Sequence, residues 1–404
     1  TVEWRAEETV SHAWRRWIVL AAALIVQGCL GTLYSWSVLA TQLQGAYGFS
    51  ARQTSIVFGI AVFTFTIAVM FTGRLQDRIG PRLLATLSGI FLGAAYLIAS
   101  AAYGSYAVLF VAAGPVQGLA IACGYVCAIA TSVKWFPRHK GLVAGLAAAG
   151  YGGGAIVTTP LLKALFAHGW QVMPVMRLMG VVFIVLVTGC GLLMVAPPAA
   201  AGRHHATVRY RAVLRDAFFW RLVVAFFCAT MGGLLIIPNL ERIGLSFGLS
   251  ETVAAGSVVA LAIGNSSGRV LWGFVYDRLG GQRSIALSLG AIASSLFLFR
   301  DSGGSGVLFL CAAAFAGFCY GGCFALYAPR IAEVYGTQNL GAVYGLLLLS
   351  HGASGPVGAH INGLLLEATG SFRPGLLAAA TVVTAGFVFY MATMPRRAVK
   401  PAAE

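Results

Sequence analysis

Twelve long apolar runs, separated by short polar or basic stretches, make up most of this chain. They lie near residues 17–41, 53–73, 83–103, 106–133, 141–166 and 175–196, and then near 218–241, 252–275, 284–300, 306–332, 340–366 and 375–394. A helix rises about 1.5 Å per residue, so roughly 20 apolar residues cross the ~30 Å hydrocarbon core of a bilayer. Lipid offers the backbone no hydrogen bonds, which favours helices in such runs. The pattern predicts an all-α membrane protein with twelve transmembrane helices. The most polar internal stretch, 198–217, holds Arg203, His204, His205, Arg209, Arg211 and Arg215 and separates six runs from six. The expected organisation is a tail at 1–16, a six-helix half at 17–197, a linker at 198–217, a second six-helix half at 218–395 and a tail at 396–404.

Composition agrees with a lipid solvent. Charged residues are 10% of the 404, against 59% hydrophobic, where soluble domains are about a quarter charged. A net charge of +15 would suggest nucleic acid in a soluble protein. Here nearly all of the Lys and Arg fall in short segments between the apolar runs, with no basic stripe interleaved with aromatics, so no nucleic-acid partner is expected. The tails, the loops after runs 2, 4, 6, 8 and 10 and the run ends beside them hold 20 of the 27 basic residues. The other side holds six, at Arg52, Lys163, Arg177, Arg242, Arg300 and Arg373. Basic loops stay cytoplasmic, so both ends are expected on the cytoplasmic side. Arg15 and Arg16 precede a first run with no cleavage signature, which reads as a retained helix. The eight cysteines all lie inside apolar runs. Pairs such as Cys123/Cys127 and Cys319/Cys323 lack a nearby histidine, so they read as packing residues and not as disulfides or metal ligands.

One motif occurs twice. Gly73-Arg-Leu-Gln-Asp77-Arg78-Ile-Gly80 follows run 2, and Gly273-Phe-Val-Tyr-Asp277-Arg278-Leu-Gly280 follows run 8, at the same place in each half. In a short cytoplasmic loop, such a carboxylate can pair with arginines and helix ends of a neighbouring span in one conformation only. Asp77, Arg78, Asp277 and Arg278 are therefore expected to act as a conformational latch.

Ionisable groups at depth are costly and point to function. Every Asp and Glu lies in a tail, a loop or a run end, yet Arg269 lies eight residues inward from Asp277. That is about 12 Å along a helix, close to the bilayer centre. Without an acidic partner at that depth, its counter-ion is expected to be the substrate, since a guanidinium fork matches a carboxylate. A guanidinium satisfied by carbonyls and water is the plainer alternative. His351 reaches the same depth in run 11, and Asn265 lies one turn from Arg269 on the same helix face. Tyr320 and Phe324 share a face of run 10, and Tyr34, Tyr125 and Tyr151 sit mid-run in the first half. Aromatics at depth usually pack; as hydroxyl donors to an anion they gain weight together. The glycine-rich Gly150–Gly154 stretch lies mid-membrane, where small residues let helices approach.

These residues resemble a family. The doubled G-x-x-x-D-R-x-G is similar to the signature of the major facilitator superfamily, whose 6+6 repeat binds substrate near the midplane. Lys134-Trp-Phe-Pro-Arg-His-Lys-Gly-Leu-Val-Ala-Gly145, Ala148-Ala-Gly-Tyr-Gly152, Tyr34-Ser-Trp36 and Gly268-Arg-Val-Leu-Trp-Gly-Phe274 resemble runs of oxalate/formate antiporters and, at Arg269, of monocarboxylate transporters. The resemblance implies a pocket of Arg269, Tyr320, Phe324, His351, Leu348, Leu33, Tyr34, Tyr125 and Tyr151, to which the helix face of Arg269 adds Asn265. It maps an oxalate carrier's second cation, a lysine, onto His351, and two other pocket positions onto the aliphatic Leu33 and Leu348. One fixed charge, one titratable group and more apolar wall suit a short monocarboxylate, lactate or pyruvate in kind, carried with a proton. With no Asp or Glu at that depth, the proton rides on His351 or on the substrate itself; His351 is the expected proton-coupling group, since histidine titrates near pH 6.5. Carboxylate exchange is the alternative. A membrane-embedded enzyme or sensor is disfavoured, as no nucleophile–base set shares a depth. No cofactor or metal is expected, and the working form is expected to be a monomer in the bilayer.

Overall fold

The computed structural model describes residues 2–197 and 209–394. Linker residues 198–208, with His204 and His205, and the expected tail at 396–404 lie outside the described residues. Among the described residues every regular element is helical, and twelve helices are long and apolar enough to cross a membrane. Spans 1–6 are Trp14–Tyr47, Ile56–Ile79, Pro81–Ala99, Tyr106–Trp135, Lys140–Ala167 and Val172–Leu193. Spans 7–12 are Ala217–Ile236, Glu251–Leu279, Gly281–Arg300, Gly306–Tyr335, Thr337–Thr369 and Arg373–Ala392. Each expected run meets its span within several residues.

Local chemistry sets several ends. Ser50 and Gln53 form a reciprocal capping box, Ser50 Oγ accepting from Gln53 N at 3.1 Å and Ser50 N donating to Gln53 Oε1 at 2.8 Å. Asp216 Oδ1 accepts from Phe218 N at 2.9 Å and starts span 7. Gly80 and Gly280, at φ 85° and 78°, end spans 2 and 8 in a left-handed turn that side chains resist.

The repeated motif corrects one expectation. Helices run unbroken through Ile79 and Leu279, so Asp77, Arg78, Asp277 and Arg278 stand on the last helical turns and not in loops. Only one glycine separates each helix from the next. The expected tail at 1–16 is likewise helical, within Val2–Leu30. Spans 1 and 4 are interrupted, by a 3₁₀ segment at Gly31–Ser35 and by a π turn at Ala112–Val116 that accommodates Pro115.

The chain forms two compact units. One comprises Thr1–Arg138, Gly150–Thr207 and Thr337–Gly345; the other comprises His139–Ala149, Val208–Gly336 and Leu346–Glu404. The first turns of span 5 therefore belong to the second unit, and the first turns of span 11 to the first. Spans 3 and 6 make the most extensive helix pair of the first unit, and spans 8 and 10 of the second. The latter pair is joined by Gly264 and Gly268 on one helix and Gly317 and Gly321 on the other. A Cβ at any of the four would strike a backbone carbonyl across the seam, of Ala314, Phe318, Leu261 or Asn265. Small residues let two helix backbones touch, the main source of adhesion when lipid removes the hydrophobic drive.

Candidate functional site

The glycine seam fixes span 8 against span 10, and Arg269 follows directly from Gly268. Its side chain is 2% exposed. Nε donates to Asn265 Oδ1 at 2.9 Å, one helical turn away, and Nη1 donates to the carbonyl of Ala148. Span 5 comes this close because Gly145 faces the Arg269 carbonyl, which a Cβ there would strike. The guanidinium carbon lies 4.9 Å from the Phe324 ring centroid, a cation–π distance. Among the described residues the three ion pairs are Lys134–Asp77, Arg300–Asp301 and Arg330–Glu333; Arg269 is in none of them.

Phe324 joins Arg269 to His351. The Phe324 and His351 rings meet edge to face at 5.2 Å, and Tyr320 meets Phe324 at 5.5 Å. Phe226 on span 7 closes the group, 5.9 Å from Phe324 and 6.2 Å from His351. His351 is half-buried, and its Nδ1 has no hydrogen-bond partner. One turn further, Ser354 Oγ donates to the His351 carbonyl at 2.8 Å and lies 2.9 Å from Thr230 Oγ1. Leu348, one turn before His351, is 1% exposed. The second unit thus gathers Asn265, Arg269, Tyr320, Phe324 and His351, with Leu348 buried on the same helix.

The first unit gathers the remaining predicted residues in a different style. Tyr34, Tyr151, Tyr125 and Phe65 follow one another edge to face at 5.3, 5.2 and 5.4 Å. Tyr125 and Tyr151 are buried, while Tyr34, on the 3₁₀ break, is about half exposed. Leu33 is buried on the same break. Gly31 and Gly154 bring spans 1 and 5 together, each with a carbonyl of the other helix where its Cβ would be.

The four latch candidates separate into two kinds. Asp277 Oδ1 accepts from Gly141 N at 2.8 Å and Oδ2 from Leu142 N at 2.9 Å, so it caps the start of span 5. Asp77 Oδ2 accepts from Ala342 N at 2.8 Å at the start of span 11, and Lys134 Nζ lies 3.4 Å from its Oδ1. Each acid meets unpaired N–H groups and the positive end of a helix dipole. Arg78 and Arg278 are exposed, and Arg278 lies over the Phe274 ring at 4.3 Å.

Two members of the Arg269 group escape a reading of the sequence. Phe226 is one apolar residue among many in run 7, and the Ala148 carbonyl is backbone; neither has a residue-type signal. The glycine-rich stretch around Gly145 and Gly150 was the available hint, because it marks where span 5 approaches its neighbours.

Known proteins share this chain's pattern. The family model described as Major Facilitator Superfamily matches residues 16–359 and 222–404. An uncharacterized MFS-type transporter, YhjX of Escherichia coli K12, is 29% identical, covering 83% of this chain and 85% of that protein. The oxalate:formate antiporter of Oxalobacter formigenes is 26% identical, with 94% and 91% covered. Apicoplast pyruvate carrier 1 of Toxoplasma gondii is 24% identical, with 95% and 90% covered. The transporter FucP superposes with a TM-score of 0.73 at 16% identity, over 93% of this chain and 97% of that one.

Proposed function

The chain belongs to the Major Facilitator Superfamily, and from that premise we propose that it carries short monocarboxylates, lactate or pyruvate in kind, together with a proton by alternating access. The observation that supports this most is Arg269: a buried guanidinium held by amide oxygens and a ring face, outside every ion pair among the described residues. Opposite charges in a protein interior attract with an effective dielectric near 20, several kcal/mol at contact distance. A carboxylate docking there recovers that energy. Asn265 fixes the fork, Phe324, Tyr320 and Leu348 supply apolar wall, and Leu33, Tyr34, Tyr125 and Tyr151 are the proposed substrate contacts of the first unit.

Proton coupling follows from charge. A lone anion entering an inside-negative cell works against about 2.3 kcal/mol per 100 mV, and a co-transported proton removes that term. His351, ring to ring with Phe324 and with a free Nδ1, is proposed as the carrier. The halves 17–197 and 218–395 are proposed as the repeated bodies of a monomer, both ends cytoplasmic in a bacterial inner membrane, with Asp77 and Asp277 latching one state.

Exchange of carboxylates is the second reading, favoured by the resemblance to the oxalate:formate antiporter. Uptake into proteoliposomes with and without an imposed pH gradient separates the two. Uptake of labelled lactate driven by an imposed pH gradient, with lactate outcompeting oxalate, is the expected result. Oxalate–formate exchange indifferent to the gradient would establish the second reading instead.

A further inference from the structure

At the end of the second unit that carries the basic loops lies another buried guanidinium, unrelated to Arg269. Arg221, just over one turn into span 7, is 5% exposed. Its Nη1 donates to the Thr393 carbonyl at 2.8 Å, while Nε and Nη2 are buried without an acceptor. The guanidinium carbon lies 4.7 Å from the Tyr390 ring centroid and 5.3 Å from that of Phe218. Arg330 approaches the same Phe218 ring, also at 5.3 Å, and its Nε is buried and unpartnered too.

The acids nearby are already engaged. Asp216 caps span 7 and accepts from the Tyr335 hydroxyl, and Glu333 accepts from Arg330 Nη1 at 3.0 Å. The two guanidinium groups therefore share the Phe218 ring, only Arg330 holds a carboxylate, and both have donors left over. The surroundings are those of a membrane–water interface. Arg211 and Arg215 are exposed on the short helix Tyr210–Arg215. Trp220 is 49% exposed, with its indole N–H donating to the Leu214 carbonyl at 2.7 Å. Basic residues beside an interfacial tryptophan favour the anionic headgroups of a cytoplasmic leaflet.

We propose that Arg221, assisted by Arg330, is a phosphate-binding site at the start of span 7, filled by the phosphodiester of an anionic lipid. The guanidinium fork matches two phosphate oxygens. Phe218, the half-buried ring against both guanidinium groups, turns aside to admit them. Arg211 and Arg215 hold the rest of the headgroup at the surface.

The test is thermal unfolding of the purified full chain in neutral detergent, with phosphatidylglycerol, phosphatidylcholine or inorganic phosphate added. Phosphatidylglycerol is expected to raise the midpoint by about 2–4 °C, the effect of roughly 1 kcal/mol on a unit of this size. Phosphatidylcholine and inorganic phosphate should leave the midpoint unchanged, and Arg221→Gln should lose most of the gain. An equal gain in Arg221→Gln overturns the proposal. A gain from inorganic phosphate matching that from phosphatidylglycerol overturns the lipid as occupant while upholding the phosphate site. Should Arg221→Gln fail to fold, Phe218→Leu opens the same site and should strengthen the phosphatidylglycerol response. An unchanged or weaker response there also overturns it.

Discussion

The Arg269 group and the tyrosine group are made from opposite materials. In the second unit one permanent cation is held by an amide side chain, a backbone carbonyl and the face of Phe324, with a histidine against the same ring. In the first unit Tyr34, Tyr151, Tyr125 and Phe65 touch edge to face, and none carries a charge at neutral pH. A ring pair is worth about 0.5–1.5 kcal/mol beyond its area, whereas a desolvated charge lacking its counter-ion leaves several kcal/mol for a ligand to recover. Affinity should therefore be concentrated in one unit. The other should contribute shape and a few hydroxyls.

Removing the cation should have the largest effect. Arg269→Ala is expected to weaken lactate binding at least about a hundredfold, the scale of a lost charge-assisted bidentate pair. Arg269→Lys keeps the charge and loses the fork, and should recover only part of that. Isothermal titration of both variants measures the contrast, and wild-type affinity in Arg269→Ala would erase the distinction drawn between the units.

His351 ranks second, because it should govern energy conversion more than affinity. His351→Gln is expected to bind lactate within about tenfold of wild type, retain counterflow and lose accumulation driven by a pH gradient. Full accumulation in that variant would remove histidine from the proton path and leave it as a neutral ring beside Phe324.

The proposed latch acids come next. Asp277→Asn leaves two N–H groups at the start of span 5 facing a weaker acceptor, and Asp77→Asn also loses Lys134. Helix-cap losses of about 1 kcal/mol translate to roughly a fivefold change in the rate of rearrangement. Transport should slow by that much while lactate affinity stays within about threefold. Affinity falling in step with rate would mean that these acids hold the binding site and not the conformational change.

The spans were legible because a membrane segment announces itself by length and apolarity alone, and the position of Arg269 because a cation inside such a run stands out from its apolar neighbours. Which face each helix buries was not legible. A helix that is apolar all round has no amphipathic stripe to betray its partner, so Phe226 could not be told from its neighbours. Glycines carry that information instead. Gly264 and Gly268 mark the seam with span 10, and Gly145 the approach of span 5. The breaks at Gly31–Ser35 and Ala112–Val116 were hidden because neither interrupts the hydropathy. The repeated motif reads as a loop because it is polar, but its polar groups cap neighbouring helices and leave its own helix intact.

The smallest effect expected is on the tyrosines, and it tests the comparison from the other side. Tyr125→Phe and Tyr151→Phe each remove one hydroxyl and keep the ring, so the edge-to-face chain with Tyr34 and Phe65 stays packed. A neutral hydrogen bond contributes a net 0.5–1.5 kcal/mol or so. Each substitution should raise KM for lactate by no more than about threefold, with little change in kcat. Replacing Tyr151 by Ala is a different operation. It opens a void in a cluster built on close approach of spans 1 and 5, and core deletions of aromatic rings cost about 3–5 kcal/mol. Its effect should therefore register as a lower unfolding midpoint, with affinity little altered in whatever protein remains folded. Measuring KM and thermal midpoint on the Phe and Ala variants separates hydroxyl chemistry from packing. A hundredfold rise in KM for either Phe variant, with an unchanged midpoint, would place a tyrosine hydroxyl on a level with Arg269 and end the division of labour between the two units.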